Sequence, residues 1–530
     1  MLYPLRGRHI HGKNMETSIY RGEYITTKAI SKILIANRGE IALRVVRACK
    51  ELGIKSVAVF SDEDTRSVHV KRADEAYNIG PAAATESYLN MKRIIEIAKQ
   101  SGSDAIHPGY GFLSENEAFA KTCKKNGIIF IGPGSEAMEV TGDKMKCKEV
   151  MKEAGVPLVP GSDGVVGDLD EAVAIAKESG FPVLLKSAFG GGGRGIRLAK
   201  DEKELRQEYE MASAESKAAF GKAALYVEKC LEGIRHIEYQ LLRDTHGNSR
   251  HLFERECSVQ RRHQKLIEMS PSPVLDAKTR SKIGEIAVRA VDAVDYVNAG
   301  TAEFLRDNKG NFYFIEVNSR LQVEHPVTEF VTGLDLVKLQ ISIAQGEEIP
   351  FKQEELELRG AAIECRINAE DPFNEFSPSV GLVPSCNLPY GPGVRVDSYL
   401  YPGCMVSGYY DSLVAKLITW GNHFEEARNR MINALNEFEV EGVNTTIPLF
   451  KTIMKEEHFI RGELSTDYLE RYDLMNKLLK DAKGVSTQTQ VPAVAALLLY
   501  SEFMRTPSVK RGNVQKSEHM PAWIRQGGNF

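Results

Sequence analysis

A glycine-rich bend, Gly190–Gly195, connects two predicted strands at Pro182–Lys186 and Gly195–Leu198. Its letters satisfy the G-x-G-x-x-G pattern, but a dinucleotide site requires a strand before the glycines and a helix after them. A strand on both sides instead favours a hairpin whose bare backbone can bring N–H groups close to phosphate oxygens. With Lys186 on the incoming strand, we predict a nucleotide phosphate site rather than a merely flexible loop.

The N-terminal part shows strands alternating with helices. Apolar residues recur at helical spacing over Ile41–Leu52, and Gly53 stands where a helix C-cap belongs. Continued alternation as far as Gly134 predicts βαβ units in a parallel, doubly wound sheet. The other elements predicted here are strands at Ile33–Ala36, Lys55–Phe60, Asp104–Ile106 and Ile128–Ile131 and helices at Tyr88–Lys99 and Asn116–Lys125.

Beyond Gly134 the sequence predicts more strands than helices, so we expect a mixed α/β and α+β fold. At ~150 residues per domain, 530 residues suggest three or four domains. Helices are predicted at Lys144–Ala154, Glu202–Ser216 and Glu425–Glu437, and strands at Leu225–Glu228, Ile237–Leu242, His251–Glu254 and Phe312–Val317.

Composition argues against several classes of protein. The formal charge of −4 argues against bulk-charge binding to nucleic acid. The longest apolar stretch, Ala493–Tyr500, is less than half the ~20 residues of a membrane-spanning helix. The eight cysteines form no C-x-x-C pair, so we expect reduced thiols in a cytoplasmic protein with no membrane partner.

The first fifteen residues are basic, with no acid before Glu16. A weak targeting segment, a disordered extension and a start codon assigned ahead of Met15 all stay open as interpretations.

Two carboxylates on predicted neighbouring strands form a candidate metal site. Glu303 lies on one strand and Glu316 near the end of the next, with Asn318 two residues further on. Mg²⁺ prefers such oxygen ligands and completes its octahedron with phosphate oxygens and water. Period two places Glu316, Asn318 and Arg320 on one strand face. From the pair alone, one solvated acid on each strand is an equally open interpretation.

Two further clusters are dense in polar groups but indicate no function by composition alone. Gln260–Lys265 is compatible with a solvated or nucleic-acid-binding basic run. Arg320–Glu329 is compatible with a capped turn that begins a helix.

Six segments together resemble the biotin carboxylase family of ATP-grasp ligases, in order and without large gaps from Lys32 to Leu469. The segments are Ile35–Ala42, His107–Asn116, Lys186–Arg194, Gln260–Lys265, Glu316–Thr328 and Glu364–Glu370.

The resemblance implies three domains between two terminal segments. These are an extension at 1–31, a Rossmann-like N-terminal domain at 32–143, an ATP-grasp domain at 144–346 with a mobile glycine-rich lid at about 159–230, a biotin carboxylase C-terminal domain at 360–469, and a tail at 470–530.

The activity implied by the resemblance is ATP-dependent carboxylation of biotin with bicarbonate, through carboxyphosphate and with Mg²⁺ or Mn²⁺. The implied ATP-binding residues are Lys144 and Lys186 at the phosphates, Gly192 and Gly193 above them, Glu228, Lys229 and Leu231 at the adenine, His236, Gln260 and His263 elsewhere on the nucleotide, and Glu303 and Glu316, which with Asn318 are also the metal ligands.

The resemblance also implies sites for bicarbonate and biotin. Bicarbonate must lose a proton as it attacks phosphate, so a neighbouring carboxylate suits a base. A guanidinium suits the anion that forms when the biotin urea loses its proton. The implied residues are Lys265, Arg320, Gln322 and the Val323 backbone for bicarbonate, Glu324 as general base and Arg366 for the biotin ureido oxygen, with Lys265, Arg320, Glu324 and Arg366 as the catalytic set.

We expect this chain to be a separate subunit. Carrier domains present biotin on the lysine of Met-Lys-Met, which Lys144–Cys147 only approaches, and no carboxyltransferase-sized region follows Leu469. The expected parent is a multi-subunit acetyl-CoA or propionyl-CoA carboxylase, with biotin carboxyl carrier protein and carboxyltransferase subunits as partners. A homodimer is implied by the resemblance alone, and biotin is a carrier-bound substrate that is not attached to this chain.

Three alternatives stay open: the biotin carboxylase subunit of pyruvate carboxylase, another ATP-grasp ligase and a non-catalytic scaffold. Another ligase has no reason to carry the segment around Arg366, and loss of a catalytic residue, which would indicate a scaffold, is not seen. Phe189 is bulkier than the Ser or Ala of the family pattern, which leaves the packing of the lid open.

Overall fold

A computed structural model describes residues 19–20, 23–24, 29–187, 196–220 and 225–482. The chain divides into two compact units, Met1–Met475 and Asn476–Phe530. Within the second unit the described residues, 476–482, are helical. No helix among the described residues is long and apolar enough to span a membrane.

The N-terminal segment forms a five-stranded parallel sheet, which confirms the predicted α/β fold. The spatial order of its strands is Glu75–Gly80, Lys55–Ser61, Lys32–Ile35, Ala105–His107 and Ile129–Phe130. Alternation along one strand explains the two layers of helices, because Ile33 and Ile35 enter one apolar core and Leu34 enters the other. After the short ribbon β1 (Ile19–Tyr20) and β2 (Glu23–Tyr24), the elements are β3 (Lys32–Ile35), α1 (Gly39–Leu52), β4 (Lys55–Ser61), α2 (Val68–Arg72), β5 (Glu75–Gly80), α3 (Met91–Ser101), β6 (Ala105–His107), α4 (Glu117–Lys125), β7 (Ile129–Phe130) and α5 (Ser135–Gly142).

A smaller antiparallel sheet, in the order β10-β8-β9, follows in the chain. Lys186 pairs with Ile196 across the two strands predicted to flank the glycines. The bend itself, with Phe189, Gly192 and Gly193, lies outside the described residues. The elements are α6 (Lys144–Glu153), α7 (Leu169–Ser179), β8 (Val183–Ser187), β9 (Ile196–Ala199), α8 (Glu202–Phe220) and β10 (Leu225–Lys229).

The largest sheet has eight antiparallel strands, whose spatial order is Phe312–Asn318, Asn298–Arg306, Arg235–Arg243, Ser249–Arg261, Gln264–Ser270, Ala361–Asn368, Leu413–Gly421 and Val394–Ser398. Its first members are β11 (Arg235–Arg243), β12 (Ser249–Arg261), β13 (Gln264–Ser270), β14 (Asn298–Arg306) and β15 (Phe312–Asn318), with helices α9 (Ala277–Asp292), α10 (His325–Thr332) and α11 (Leu336–Ala344).

The same sheet continues into the C-terminal segment, because β13 pairs with β16 (Ala361–Asn368). The remaining strands are β17 (Glu370–Asp371), β18 (Ser377–Pro378), β19 (Gly381–Val383), β20 (Cys386–Asn387), β21 (Val394–Ser398), β22 (Cys404–Val406), β23 (Leu413–Gly421) and β24 (Glu439–Val440), and the helices are α12 (Phe424–Glu437), α13 (Ile447–Ile453), α14 (Glu457–Ile460) and α15 (Tyr468–Arg471).

Candidate active site

A row of three carboxylates crosses the large sheet. Glu238 on β11 pairs with Glu303 on β14, and Glu303 pairs with Glu316 on β15. Directly opposed like charges destabilise a sheet, so this row requires cations around it.

Lys265 supplies one of those cations at the start of β13. Its ammonium donates to Glu238 at 2.5 Å and to Glu303 and Glu324 at 2.8 Å each. Burial would lower the pKa of Lys265, but the three carboxylates outweigh it and hold that pKa well above its usual value. The ammonium therefore ties the acidic row to the turn that ends at Glu324.

Glu324 lies between two cations, immediately before α10. One carboxylate oxygen accepts from Lys265 and the other accepts from Arg366 Nη2 at 2.9 Å. Burial would raise the pKa of Glu324, but Lys265, Arg366 and Arg255 hold it well below its usual range. On its far side, Arg366 Nε donates to Glu268 at 2.5 Å. Glu324 is thus a buried carboxylate with a cation at each oxygen.

Two groups from the same turn complete the cluster. Arg320 donates from Nε to Glu115 at 3.0 Å and from Nη2 to Asn318 at 3.1 Å. Gln322 donates to Glu303 at 2.9 Å and accepts from Arg255 at 2.8 Å. The structure therefore brings Lys265, Arg320, Gln322, Val323, Glu324 and Arg366 together around one turn.

The facing pair Glu303 and Glu316 suits a divalent cation. The Asn318 amide nitrogen donates to Glu303 at 2.8 Å, which holds this side chain beside the pair. The amide oxygen of Asn318 is therefore a third oxygen ligand available to a cation. Burial raises the pKa of Glu316, and the neighbouring Glu303 raises it further. A dication would relieve that repulsion, and carboxylate and amide oxygens fit Mg²⁺ or Mn²⁺.

A cavity of about 340 Å³ adjoins this pair. Lys144, Lys148 and Lys186 line it, together with Glu228, Glu316 and Asn318. Glu228 accepts from both Lys148 and Lys186. Three lysines facing a metal-suited acid form a pocket complementary to a polyphosphate.

Other predicted nucleotide residues are placed more variously. His236 lies with its Nε2 2.9 Å from Glu303, and Gln260 lies 3.0 Å from the other ring nitrogen. Six of the predicted nucleotide residues that the structure describes lie outside the cavity lining: Lys229, Leu231, His236, Gln260, His263 and Glu303. The Lys229 ammonium donates to the carbonyls of Gly180 and Phe181, and His263 is exposed at a hairpin tip. Contact between these residues and a nucleotide stays a prediction.

Several site residues escaped the sequence analysis. Glu238 is two residues after His236, so the period of a strand places both side chains on one face, and this pattern could have identified Glu238. Arg255 lies between the acids Glu254 and Glu256 in the sequence. Arg255 is fully buried and donates to Glu238 and Gln322, so it supports both the acidic row and the turn. No sequence motif distinguishes Glu268, which lies three residues after the basic cluster Gln260–Lys265.

Family models cover most of the chain. "Biotin carboxylase, N-terminal domain" matches residues 29–138, "Carbamoyl-phosphate synthase L chain, ATP binding domain" matches 143–352, and "Biotin carboxylase C-terminal domain" matches 364–471.

Similar proteins belong to carboxylases with different acceptors. Biotin carboxylase 1 of Bacillus subtilis is 52% identical, covering 84% of this chain and 99% of that protein. A pyruvate carboxylase subunit of Methanothermobacter thermautotrophicus is 52% identical over 87% of this chain and 94% of its own. The human mitochondrial propionyl-CoA carboxylase alpha chain is 50% identical over 83% of this chain and 61% of its own.

A solved structure supports the same grouping. The biotin carboxylase domain dimer of Hydrogenobacter thermophilus 2-oxoglutarate carboxylase, in complex with MgADP, ADP and bicarbonate, has a TM-score of 0.79. It is 52% identical, and the match covers 84% of this chain and 99% of that one.

Proposed function

This chain belongs to the biotin carboxylase family of ATP-dependent ligases, and we propose that it carboxylates biotin held on a separate carrier protein. The observation that carries the proposal is Glu324, which is held between Lys265 and Arg366. A base in this position can take the proton of bicarbonate beside Lys265, while it orients the Arg366 guanidinium that suits the biotin urea.

The nucleotide is proposed to occupy the 340 Å³ cavity, with its phosphates at Lys144, Lys148 and Lys186. Glu303, Glu316 and Asn318 would hold Mg²⁺ or Mn²⁺, which offsets charge on the phosphate oxygens. We propose that the segment 159–230, which includes Gly192 and Gly193, acts as a lid over the site. Carboxyphosphate hydrolyses readily, so a lid that excludes water would protect it. The other proposed nucleotide contacts are Glu228, Lys229, Leu231, His236, Gln260 and His263.

Bicarbonate is proposed to bind Lys265, Arg320, Gln322 and the Val323 backbone. As its oxygen forms a bond to the γ-phosphorus and ADP leaves, its proton passes to Glu324, giving carboxyphosphate. The low pKa of Glu324 without substrate makes it a weak base. Binding of an anion beside it adds a like charge and shares Lys265, which raises that pKa toward a useful value.

Biotin is proposed to place its ureido oxygen at Arg366. As the urea nitrogen attacks the carboxyl carbon of carboxyphosphate, the C–O bond to the phosphoryl group breaks, and the inorganic phosphate that leaves takes up the urea proton. Negative charge grows on the ureido oxygen during this transfer. A guanidinium stabilises such a charge best when it is already oriented, and Glu268 and Glu324 orient Arg366.

The proposed parent is an acetyl-CoA or propionyl-CoA carboxylase, with pyruvate carboxylase as the alternative. Relatives that this chain matches over nearly their whole length include a biotin carboxylase and a pyruvate carboxylase subunit. We accordingly propose carrier and carboxyltransferase subunits as partners, and a homodimer because the similar structure is a dimer. All eight cysteines are free thiols, which supports a cytoplasmic location.

The test is phosphate release from ATP with bicarbonate, Mg²⁺ and either free biotin or a biotinylated carrier protein. We expect slow turnover with free biotin and faster turnover with the carrier, because tethering raises effective concentration. We expect no fixation of bicarbonate into acetyl-CoA, propionyl-CoA or pyruvate by this chain alone. Acceptor carboxylation by the isolated chain, or biotin found covalently attached to it, would contradict the proposal.

A further inference from the structure

Lys416 is a buried lysine that the proposed reaction does not use. It lies on β23 directly opposite Arg366 on β16, and its side chain is fully buried. The ammonium donates to the Val323 carbonyl at 3.0 Å and lies 3.0 Å from Glu40 on α1 and 3.8 Å from Asp397 on β21.

Such a placement requires more than one partner. A buried ammonium is costly unless it is paired and hydrogen-bonded. Glu40 supplies the nearest charge, and Tyr110 donates to the same Glu40 oxygen, which fixes that carboxylate. The remaining bond goes to a main-chain carbonyl of the turn that carries the proposed base.

The Val323 carbonyl belongs to the peptide that joins Val323 to Glu324. Fixing that carbonyl fixes the plane of the peptide, and with it the backbone from which the Glu324 side chain starts. The N-terminal helix and the C-terminal strand thereby hold the turn through a single side chain.

We propose that Lys416 is a positioning residue that sets the Val323–Glu324 peptide for bicarbonate, with Glu40 as its counter-ion. The inference rests on the proposed function, because it assigns Lys416 to the bicarbonate turn of that same site. Lys416 acts through Glu324 and touches no substrate.

The test compares Lys416→Met with the double variant Glu40→Gln/Lys416→Met, measuring thermal unfolding and the KM values for bicarbonate and ATP. Lys416→Met leaves Glu40 buried without its cation, so we expect lower stability and a weaker use of bicarbonate. The double variant removes both charges, so we expect stability to recover while kcat/KM for bicarbonate stays at least ~10-fold low, toward the ~10²-fold loss that a small misplacement causes. The KM for ATP should change less than about two-fold in both, since the phosphate lysines are not moved.

Recovery of bicarbonate kinetics in the double variant would overturn the proposal, because the defect would then come from the unpaired Glu40. An equal rise in the KM for ATP would also overturn it, as general distortion. Glu40→Gln alone keeps the Lys416–Val323 bond and should use bicarbonate almost as the wild type does; a defect equal to that of Lys416→Met would overturn the proposal even if the double variant does not fold. Absence of bicarbonate-dependent ATP turnover in the wild type would instead contradict the proposed function.

Discussion

At the scale of single residues, the site is a set of acids that must be neutralised before they can be buried. Lys265 neutralises one end of the row that runs from Glu238 to Glu316. At the other end no described basic side chain forms an ion pair with Glu316, and its pKa is raised. That imbalance is what the proposed metal would correct.

Glu316→Gln should weaken the use of Mg²⁺ while leaving the fold intact. The substitution removes one charged ligand, so we expect the Mg²⁺ concentration for half-maximal ATP turnover to rise by ~10-fold or more. Glu139→Gln, an exposed acid on α5, is the matched control. Full activity of Glu316→Gln at limiting Mg²⁺, or wild-type activity in excess chelator, would contradict the metal assignment.

In the absence of metal, the stability of the wild type should depend on pH differently from that of Glu316→Gln. A carboxyl whose pKa is raised on folding favours the folded state below its unfolded pKa of about 4.5, and that advantage is lost as pH rises through the folded value. Glu316→Gln should therefore gain in free energy of unfolding, relative to the wild type, as pH increases from 4 towards ~7. If the difference in free energy of unfolding between the two proteins stays constant with pH, folding does not raise the pKa of Glu316.

Neighbouring strands that carry a motif could be predicted from the sequence, but contacts between residues remote in sequence could not. Glu303 and Glu316 were expected on neighbouring strands, and they pair directly. Lys416 was missed, although a lone lysine within the apolar run Leu413–Trp420 is a signal of a buried charge. Its partners Glu40 and Val323 are remote in sequence, and no local pattern could name them.

At the scale of elements, the hairpin between β12 and β13 aims Lys265 into the site. Arg261 pairs with Gln264, so Arg262 and His263 form a two-residue turn, with φ of 50° and 67°. Two left-handed residues indicate a type I′ turn, which favours Asn-Gly. The basic cluster that composition could not interpret is therefore a strained hairpin tip.

Replacing Arg262-His263 by Asn-Gly should separate stability from nucleotide contact. The free energy of unfolding should rise by about 1 kcal/mol as left-handed strain is relieved. If His263 contacts the nucleotide, the KM for ATP should rise in the double variant and stay unchanged in Arg262→Asn alone. Thermal unfolding and ATP kinetics measure the two effects, and an unchanged KM for ATP in the double variant would remove His263 from the nucleotide site.

The sequence could predict strands that carry an apolar run, but not a half-exposed strand without one. The helix predicted at Asn116–Lys125 is present as α4, with Asn116 capping the backbone of Phe119. β5 was missed because Glu75–Gly80 is a half-exposed edge strand without an apolar run. The helix α9 was missed, although its apolar residues follow helical spacing after the N-cap Asp276.

At the scale of the described part of the first unit, one sheet joins segments that the sequence suggested as separate. The strand β13 lies in the predicted ATP-grasp domain and pairs with β16, which lies in the predicted C-terminal domain. Glu268 and Arg366 meet because these two strands are adjacent. Pairing between strands about 100 residues apart follows from topology rather than from local pattern, so this part of the site could only come from the structure.

In the proposed reaction Glu324, held between two cations, is the base for biotin carboxylation. Its most direct test is the ATP-dependent transfer of labelled bicarbonate to a biotinylated carrier by Glu324→Gln, with nucleotide affinity measured in parallel. Glu357→Gln, an exposed acid beside Arg359, is the control. We predict nearly normal ATP binding and a loss of ~10²–10⁴-fold in the rate of carboxylation. A rate close to that of the wild type would contradict the claim, and an equal loss of ATP binding would place Glu324 in the nucleotide site instead.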